Sequence, residues 1–193
     1  SARGDFGQFG ARRVSVEMAY DAGFVRELSA LAEQEGLPAG TLGERNPALD
    51  HGTLIPLYFL TQFPLRAKLV RVGISGLSFL DHYRLGRMIA RTADKLGRRT
   101  VFVASGDLSH RLKEDGPYGF AEEGPEFDRQ IMDILGSGDF LRLFDFSPDF
   151  CEAAGECGLR SFIVMAGALD GLSVKARRHS YESPFGVGYG VCS

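Results

Sequence analysis

"AKLVRVGISGLSFLDHYRLGRMIARTADKLGRRTVFVASGDLSH", Ala67 to His110, decides the fold class. Its first segment, "AKLVRVGIS", is dominated by aliphatic residues and runs into Gly73 and Gly76, as a strand and its end would. "FLDHYRLGRMIARTADKLG" then spaces its apolar residues as an amphipathic helix and closes on Gly97. "RTVFVASG" reads as a second buried strand. Strand, helix and strand in this order make a parallel crossover unit, expected to be right-handed. Its strand ends, "GISGLS" and "SGDLSH", then lie side by side on one edge. In open α/β sheets that edge is where ligands are held, and here Asp107, Ser109 and His110 follow directly upon the strand end.

Working outward, "DAGFVRELSALAEQEG" places Phe24, Val25, Leu28 and Leu31 at helical spacing and ends at Gly36. After a Gly/Pro-rich connection, "HGTLIPLYFLTQF" is apolar nearly all round and reads as a buried helix with Pro56 in its first turns; periodicity alone also admits a strand. Downstream of His110, "RLKEDGPYGFAEEGPEF" is rich in Gly, Pro and acids and reads as a surface loop of a length often used for lids. "PEFDRQIMDILGSG" follows as a helix with Pro125 at its first position, then a short helix, a turn at Gly155 and a second, largely buried helix from 157 to 169. The end pairs "SVKARRHSYE" with "SPFGVGYGVC", in which Gly186, Gly188 and Gly190 alternate with Phe185, Val187, Tyr189 and Val191. That bare face suits either close approach to a ligand or, as we favour, a helix packed on the glycine side.

A chain of 193 residues that is 44% hydrophobic supports one substantial core, so a single domain over residues 1–193 is expected. A net charge of −3 excludes the electrostatic footprint of a nucleic-acid or anionic-membrane partner, and "KARRH" reads as a solvated strand face. The cysteines, Cys151, Cys157 and Cys192, are odd in number and favour a reducing compartment. No apolar run approaches the ~20 residues that span a bilayer, and no secretory leader is seen, so the expected location is the cytoplasm. The turn-like opening "SARGDFGQFG" and the abrupt end "GVCS" read as those of a fragment.

Four histidines are present. His110 has Asp107 three residues before it, and His51 follows Asp50 at the mouth of the apolar helix. A lone loop histidine is more often a surface residue than a catalyst; each of these has an acid nearby and borders a core element, which raises its standing. His82, in the first turn of an amphipathic helix, reads as structural, and His179 as exposed. "GECG" puts Glu156 and Cys157 at the start of the buried helix, where the helix terminus favours an anion: a charged carboxylate or thiolate, or equally a capping glutamate beside an inert cysteine. Arg160 suits a substrate carboxylate or, more commonly, a salt bridge to a local acid, and Tyr118 in the lid loop suits substrate contact or ordinary packing. Two histidines with Glu156 suggest a mononuclear metal site, either the two-histidine, one-carboxylate set of non-haem Fe(II) oxygenases or a Zn²⁺ site for hydrolysis; spacing does not choose.

Taken together, "GDFGQFGA", "LDHGTLIPLYFL", "VFVASGDLSHRL", "DGPYGF" followed by "GPEFD", "GECGLRSFIVMAGALDG" and "SYESPFGVGYG" resemble the class III extradiol ring-cleaving dioxygenases of the LigB type, specifically the Memo-like branch. The resemblance implies a three-layer α/β/α fold with a mixed, largely parallel central sheet, and Fe(II)-dependent cleavage of a small aromatic diol by O₂. It implies that His110 is the acid/base histidine, work that suits an imidazole because the free group titrates near neutrality, and that His51 hydrogen-bonds bound oxygen or substrate; Asp107, by its proximity, is expected to orient His110 or its loop. It implies a metal ligand in "GECG", a glutamate in ring-cleaving relatives and a cysteine in Memo proteins, so Glu156 and Cys157 both qualify. It also revises the triad above: the two histidine ligands of the family lie upstream of "GDFGQFGA", and this chain is expected to lack them and its N-terminal strands. The alternative function it implies is a non-catalytic Memo-like metal- or peptide-binding module in a radical-SAM-linked system. A homo-oligomer and a fused or associated AMMECR-type domain are compatible with both.

Overall fold

The computed structural model describes residues 1–41, 48–64 and 66–193, so the Gly/Pro-rich connection lies partly outside the described residues. Two compact units divide the chain, residues 1–76 with 88–105, and residues 77–87 with 106–193. The fold class is mixed α/β, with six α-helices and two two-stranded antiparallel sheets among the described residues.

In the first unit, β1 (Ala2–Phe6) and β2 (Ala11–Met18) form a hairpin closed by a single 3₁₀ turn over Gly7–Phe9. The opening read from sequence as a turn is therefore a strand plus its turn; the Gly-rich tip dominated its composition. Gly10, at φ 77°, ends the turn in the left-handed region that favours glycine. A Cβ on Gly4 would stand 2.8 Å from the Leu49 carbonyl oxygen and 2.9 Å from Leu54, so the missing side chain lets β1 lie on the start of α2 (His51–Leu60). Ala2, Val16, Leu49, Leu54 and Leu57 make the core there, with Phe6, Met18, Tyr20 and Leu69 packed against it.

α1 (Ala22–Gln34) is capped by Asp21, which accepts the Phe24 N–H at 3.1 Å and the Arg98 guanidinium at 3.0 Å. Those bonds, the Phe24 N–H foremost, hold the Asp21 carboxyl below its ordinary range. α3 (Phe79–Lys95) gives its second half to this unit, where Arg91 pairs with Glu35 and Lys95 with Glu27.

The two strands of the expected crossover unit differ from the reading. Leu69 makes an isolated parallel bridge to Tyr20, but residues 99–106 belong to no hydrogen-bonded ladder. Val101 is 88% exposed and Val103 50%, where a buried strand was expected. A strand becomes buried only when neighbours cover its faces, and among the described residues none pairs with this segment. α2 is a helix despite its even apolar content. Pro56 has no N–H to give to the Gly52 carbonyl one turn back, and the Ser105 hydroxyl donates to that oxygen instead, at 2.6 Å.

In the second unit, α6 (Leu159–Ala168) is buried along most of its length, and the first half of α3 crosses it at two glycines. A Cβ on Gly86 would meet the Val164 carbonyl oxygen at 2.0 Å, and one on Gly167 the Tyr83 carbonyl oxygen at 2.0 Å. α4 (Glu123–Ser137) begins two residues before Pro125, which is tolerated because the first four N–H groups of a helix have no partner within it. A 3₁₀ turn at Phe140–Phe144 and α5 (Pro148–Ala154) follow, and Phe127, Phe146 and Phe150 form an aromatic cluster.

β3 (Arg178–Glu182) and β4 (Tyr189–Cys192) pair antiparallel, with Tyr181 opposite Gly190. The glycine face is covered by a helix, as favoured. A Cβ on Gly188 would stand 1.9 Å from the Asp128 carboxylate, and one on Gly190 2.4 Å from the Met132 sulfur, both on α4. No helix among the described residues is long and apolar enough to cross a membrane.

Ser105→Ala removes the hydroxyl that donates to the Gly52 carbonyl and is expected to cost about 1–2 kcal/mol of stability. Urea unfolding of the two proteins side by side measures it, and a larger loss than in Ser29→Ala on α1 is the expected outcome.

Candidate functional site

The turn that carries His110 is fixed from three sides within the second unit. Ser109 donates its N–H to Asp128 Oδ1 at 2.7 Å and its hydroxyl to the Ala154 carbonyl at 2.7 Å, and its oxygen accepts the Arg111 N–H at 2.9 Å. The His110 N–H donates to the Gly155 carbonyl at 3.3 Å, and the Gly188 N–H to the Ser109 carbonyl at 2.8 Å. The loop before α6 is therefore stapled to residues 109–111, and Gly155, at φ 65°, closes α5 in a conformation that glycine adopts without strain.

Three residues before Ser109, Gly106 meets Gly158, and the two glycines bring bare backbone together. A Cβ on Gly106 would lie 2.4 Å from Gly158 Cα, and a Cβ on Gly158 would lie 2.9 Å from the Asp107 carbonyl oxygen and 2.7 Å from the Phe162 ring. This closeness lets the Asp107 N–H donate to Cys157 Sγ at 3.3 Å. His110 Nε2 lies 3.9 Å from the same sulfur and 3.4 Å from Asp107 Oδ2. One ligand atom from each of Asp107, His110 and Cys157 falls within 4.8 Å of the others.

Glu156 is directed elsewhere. Its Oε2 accepts the Leu159 N–H at 2.7 Å, so it caps α6 and is largely buried; that burial pushes its carboxyl above the ordinary range, opposed by the helix N–H and by Arg160. The Cys157 thiol is also pushed up, first by burial and further by the charges of Asp107 and Glu156, against the pull of the Asp107 N–H. Cys151 is buried in α5, its pKa raised to about 11 by burial, and is an inert thiol.

Around the cluster, Tyr118 stacks on the His110 ring with centroids 5.0 Å apart and planes 27° from parallel. The loop that presents it is pinned by a Leu112–Phe120 bridge and by Lys113, which donates to the Pro184 carbonyl at 2.8 Å. The hydroxyl of Tyr189 is raised in pKa by partial burial and by the nearby Asp107. Arg160 makes no salt bridge among the described residues. Its guanidinium lies 5.3 Å from the Phe79 ring centroid, and its shielded Nε has no hydrogen-bond partner there.

His51 belongs to the first unit. It opens α2 and lines a hollow of about 350 Å³ with Asp5, Gln8, Ala48, Leu49 and Asp50. The Phe9 ring meets it edge-on at 6.2 Å, and Asp50 is committed to the Thr53 N–H at 2.9 Å as the helix cap. His82 is buried with Nδ1 2.8 Å from the Ser78 carbonyl, and His179 sits on exposed β3, 2.7 Å from the Ser193 hydroxyl.

Asp128 escaped the sequence reading. It is 1% exposed, and its carboxylate accepts the Ser109 N–H and, at 2.7 Å, the Tyr181 hydroxyl. A signal was present: Asp128 lies on the stripe of Phe127, Ile131, Met132 and Leu135, and an acid on a buried face needs donors.

The family model described as the catalytic LigB subunit of aromatic ring-opening dioxygenase matches residues 1–192. Among curated proteins the chain is 38% identical over 195 residues to Protein CA_C1420 of Clostridium acetobutylicum, covering 97% of this chain and 42% of that protein. It is 26% identical over 169 residues to 3,4-dihydroxyphenylacetate 2,3-dioxygenase of Escherichia coli (79% of this chain, 60% of that one). It is 27% identical over 195 residues to the 2-aminophenol 1,6-dioxygenase beta subunit of a Pseudomonas species (89% and 63%). The chain belongs to the LigB family of class III dioxygenase homologues. It spans between 42% and 63% of the length of these relatives.

Asp128→Ala strands two buried donors and is expected to lower stability by about 3 kcal/mol, with Asp128→Asn, which keeps one acceptor, losing about half of that. Denaturant midpoints at constant slope check the order; equal stability of the three proteins would contradict the role given to Asp128.

Proposed function

We propose that this chain is the catalytic domain of a class III extradiol dioxygenase homologue, which opens a catechol-type ring with Fe(II) and O₂ in the cytoplasm. The observation that carries the reading is the fixed turn at His110, whose imidazole faces Asp107 and Cys157 and stacks on Tyr118. Membership of the LigB family and the activities in the names of two relatives support it. For the whole protein we propose a three-layer α/β/α arrangement in which residues 67–75 and 99–106 are central, largely parallel strands. The Tyr20–Leu69 parallel bridge and the intervening α3 support that arrangement.

The donor set fits a first-row metal: an imidazole, a carboxylate and a thiol lie together, each of a type that such ions accept. Cys157, which lies in this cluster, or its neighbour Glu156 would hold the ion from this chain. Glu156, committed to the Leu159 N–H, would have to leave that cap to do so. The resemblance assigns the family's two histidine ligands to no position of this chain. The chemistry that an iron ion would supply there is chelation of the diol and activation of O₂.

The protein's own part is proton handling and placement. His110 takes the proton of a substrate hydroxyl at Nε2 and returns it during ring opening, and Asp107 stabilises the charged imidazolium. Tyr118 stacks on the ring side of the site, His51 donates a hydrogen bond to bound oxygen or substrate, and the unpartnered Arg160 Nε meets a carboxylate on the substrate.

A second reading has one observation in its favour. Cys157, rather than Glu156, shares the cluster with His110, as in a Memo-like metal- or peptide-binding module of a radical-SAM-linked system. Metal analysis of Glu156→Ala beside Cys157→Ala separates the two ligand assignments, because loss of the true ligand empties the site.

The activity test is O₂ uptake by the full-length protein, loaded with Fe(II) anaerobically and then given catechols. We expect uptake with ring opening, falling by about 10²-fold or more in His110→Ala. Uptake no greater than in that variant would remove ring cleavage.

A further inference from the structure

We propose that the outer face of α2 is a contact surface on which two copies of this chain pair about a two-fold axis, with their α2 helices antiparallel. This surface stands on its own geometry and does not depend on the reaction proposed above.

α2 is covered on one side only. Leu54 and Leu57 enter the core of the first unit. Ile55 and Phe59, one turn apart on the other side, are exposed, Phe59 at 63%. Phe63, 73% exposed, extends this row beyond the helix, because the Gln62 and Phe63 N–H groups donate to the Phe59 and Leu60 carbonyls and carry the turn onward. Tyr58 and Leu60 flank the row and are exposed as well. Ring contacts continue the patch from Phe59 through Tyr58 and Phe6 to Phe9 at the hairpin tip, itself 61% exposed.

With ~150–250 Å² for a fully accessible aromatic side chain, these exposed residues leave on the order of 600 Å² uncovered. Single exposed apolar residues are ordinary, whereas a contiguous patch of this extent marks an interaction site. A stable pair takes about 800 Å² from each partner, so the patch and a narrow polar rim suffice.

The distribution of charge points to a second copy as the occupant. A two-fold contact sets each residue near the axis against its own image, where a charge would repel itself. No Asp, Glu, Lys or Arg occurs from His51 to Leu65. The nearest charges along the chain flank that stretch with opposite signs: Asp50 at the N-cap and Arg66 beyond the C-terminus, both exposed. Antiparallel helices bring the Asp50 end of one copy to the Arg66 end of the other and oppose the two helix dipoles favourably. Ile55 and Phe59 form an i, i+4 ridge, the kind that packs against another such ridge. A membrane would call for a basic face beside the apolar one, and α2 has none. Phe9 also meets the His51 ring edge-on, so a paired copy stands beside the hollow that His51 lines.

The test is sedimentation equilibrium of the full-length protein over a range of concentrations, with Phe59→Asp and Phe63→Asp, and with Leu141→Asp at an exposed apolar residue of the second unit as the control. The expected result is a dimer whose dissociation constant rises at least about 30-fold in Phe59→Asp, the loss that an aromatic at an interface centre brings. Phe63→Asp should weaken it too, and Leu141→Asp should leave it unchanged. Both phenylalanines are mostly exposed in the single copy, so the variants keep the fold, as far-UV circular dichroism checks. Orientation is read by mixing Ile55→Cys with Phe63→Cys under mild oxidation and mapping the intermolecular disulfides by mass spectrometry; antiparallel helices join position 55 to position 63. A monomer at every concentration overturns the proposal, whether another segment of the full-length protein covers α2 or phosphatidylglycerol vesicles take the face instead. A dimer indifferent to both aspartates, or cross-links only between like positions, overturns it as well. None of these readouts requires dioxygenase activity, so ring cleavage and pairing stand or fall separately.

Discussion

The second unit depends on a place where two side chains are absent. Gly106 and Gly158 bring their backbones within a distance that no Cβ would tolerate, and the Asp107 N–H thereby reaches the Cys157 sulfur. An alanine at either position would have to push the two segments apart, and the thiol would then no longer share a point with His110 and Asp107. The hydrogen bonds on Ser109 complete the fixation from the other side, because they fasten the same turn to residues 154 and 155 and to a buried carboxylate. A site assembled this way holds its donors on main chain more than on long side chains, and main chain so bonded is stiff.

The same economy explains the glycine alternation near the end of the chain. Gly188 and Gly190 are bare because Asp128 and Met132 of α4 fill the space their side chains would occupy. The Asp128 carboxylate is thus enclosed while it accepts two hydrogen bonds, and burial raises its pKa even as those bonds oppose the rise. A buried acid directly behind the His110 turn couples the strand pair β3–β4 to the candidate site through Tyr181 and Ser109.

Local periodicity made the helices legible. The spacing of Phe24 and Leu28 and the buried run after Gly158 correspond to α1 and α6, because each buries a continuous stripe within its own segment; the apolar run after His51 is the helix α2, but not the buried one expected, since Leu54 and Leu57 are covered while Ile55, Phe59 and Leu60 are exposed. The glycine face of β4 was legible for the same reason. The exposure of Val101 and Val103 was not, since an aliphatic run specifies a strand that wants covering and does not specify what covers it. The opening hairpin was hidden by charged residues on an exposed β2. Within the site, Asp107 and His110 were legible as a pair three residues apart. The choice between Glu156 and Cys157 was not, because neighbours in sequence point in different directions at the start of a helix, and only the three-dimensional turn decides which one caps and which one faces the histidine.

The most direct measurement of this architecture is amide hydrogen exchange at Asp107, followed by NMR in the native chain, in Gly158→Ala and in Cys157→Ala. Its N–H is bonded to a sulfur across the glycine contact, so the account predicts slow exchange in the native chain that quickens in both variants while the amide of Ile131 in α4 stays protected. Exchange at Asp107 that is fast from the outset, or that neither substitution alters, would contradict it.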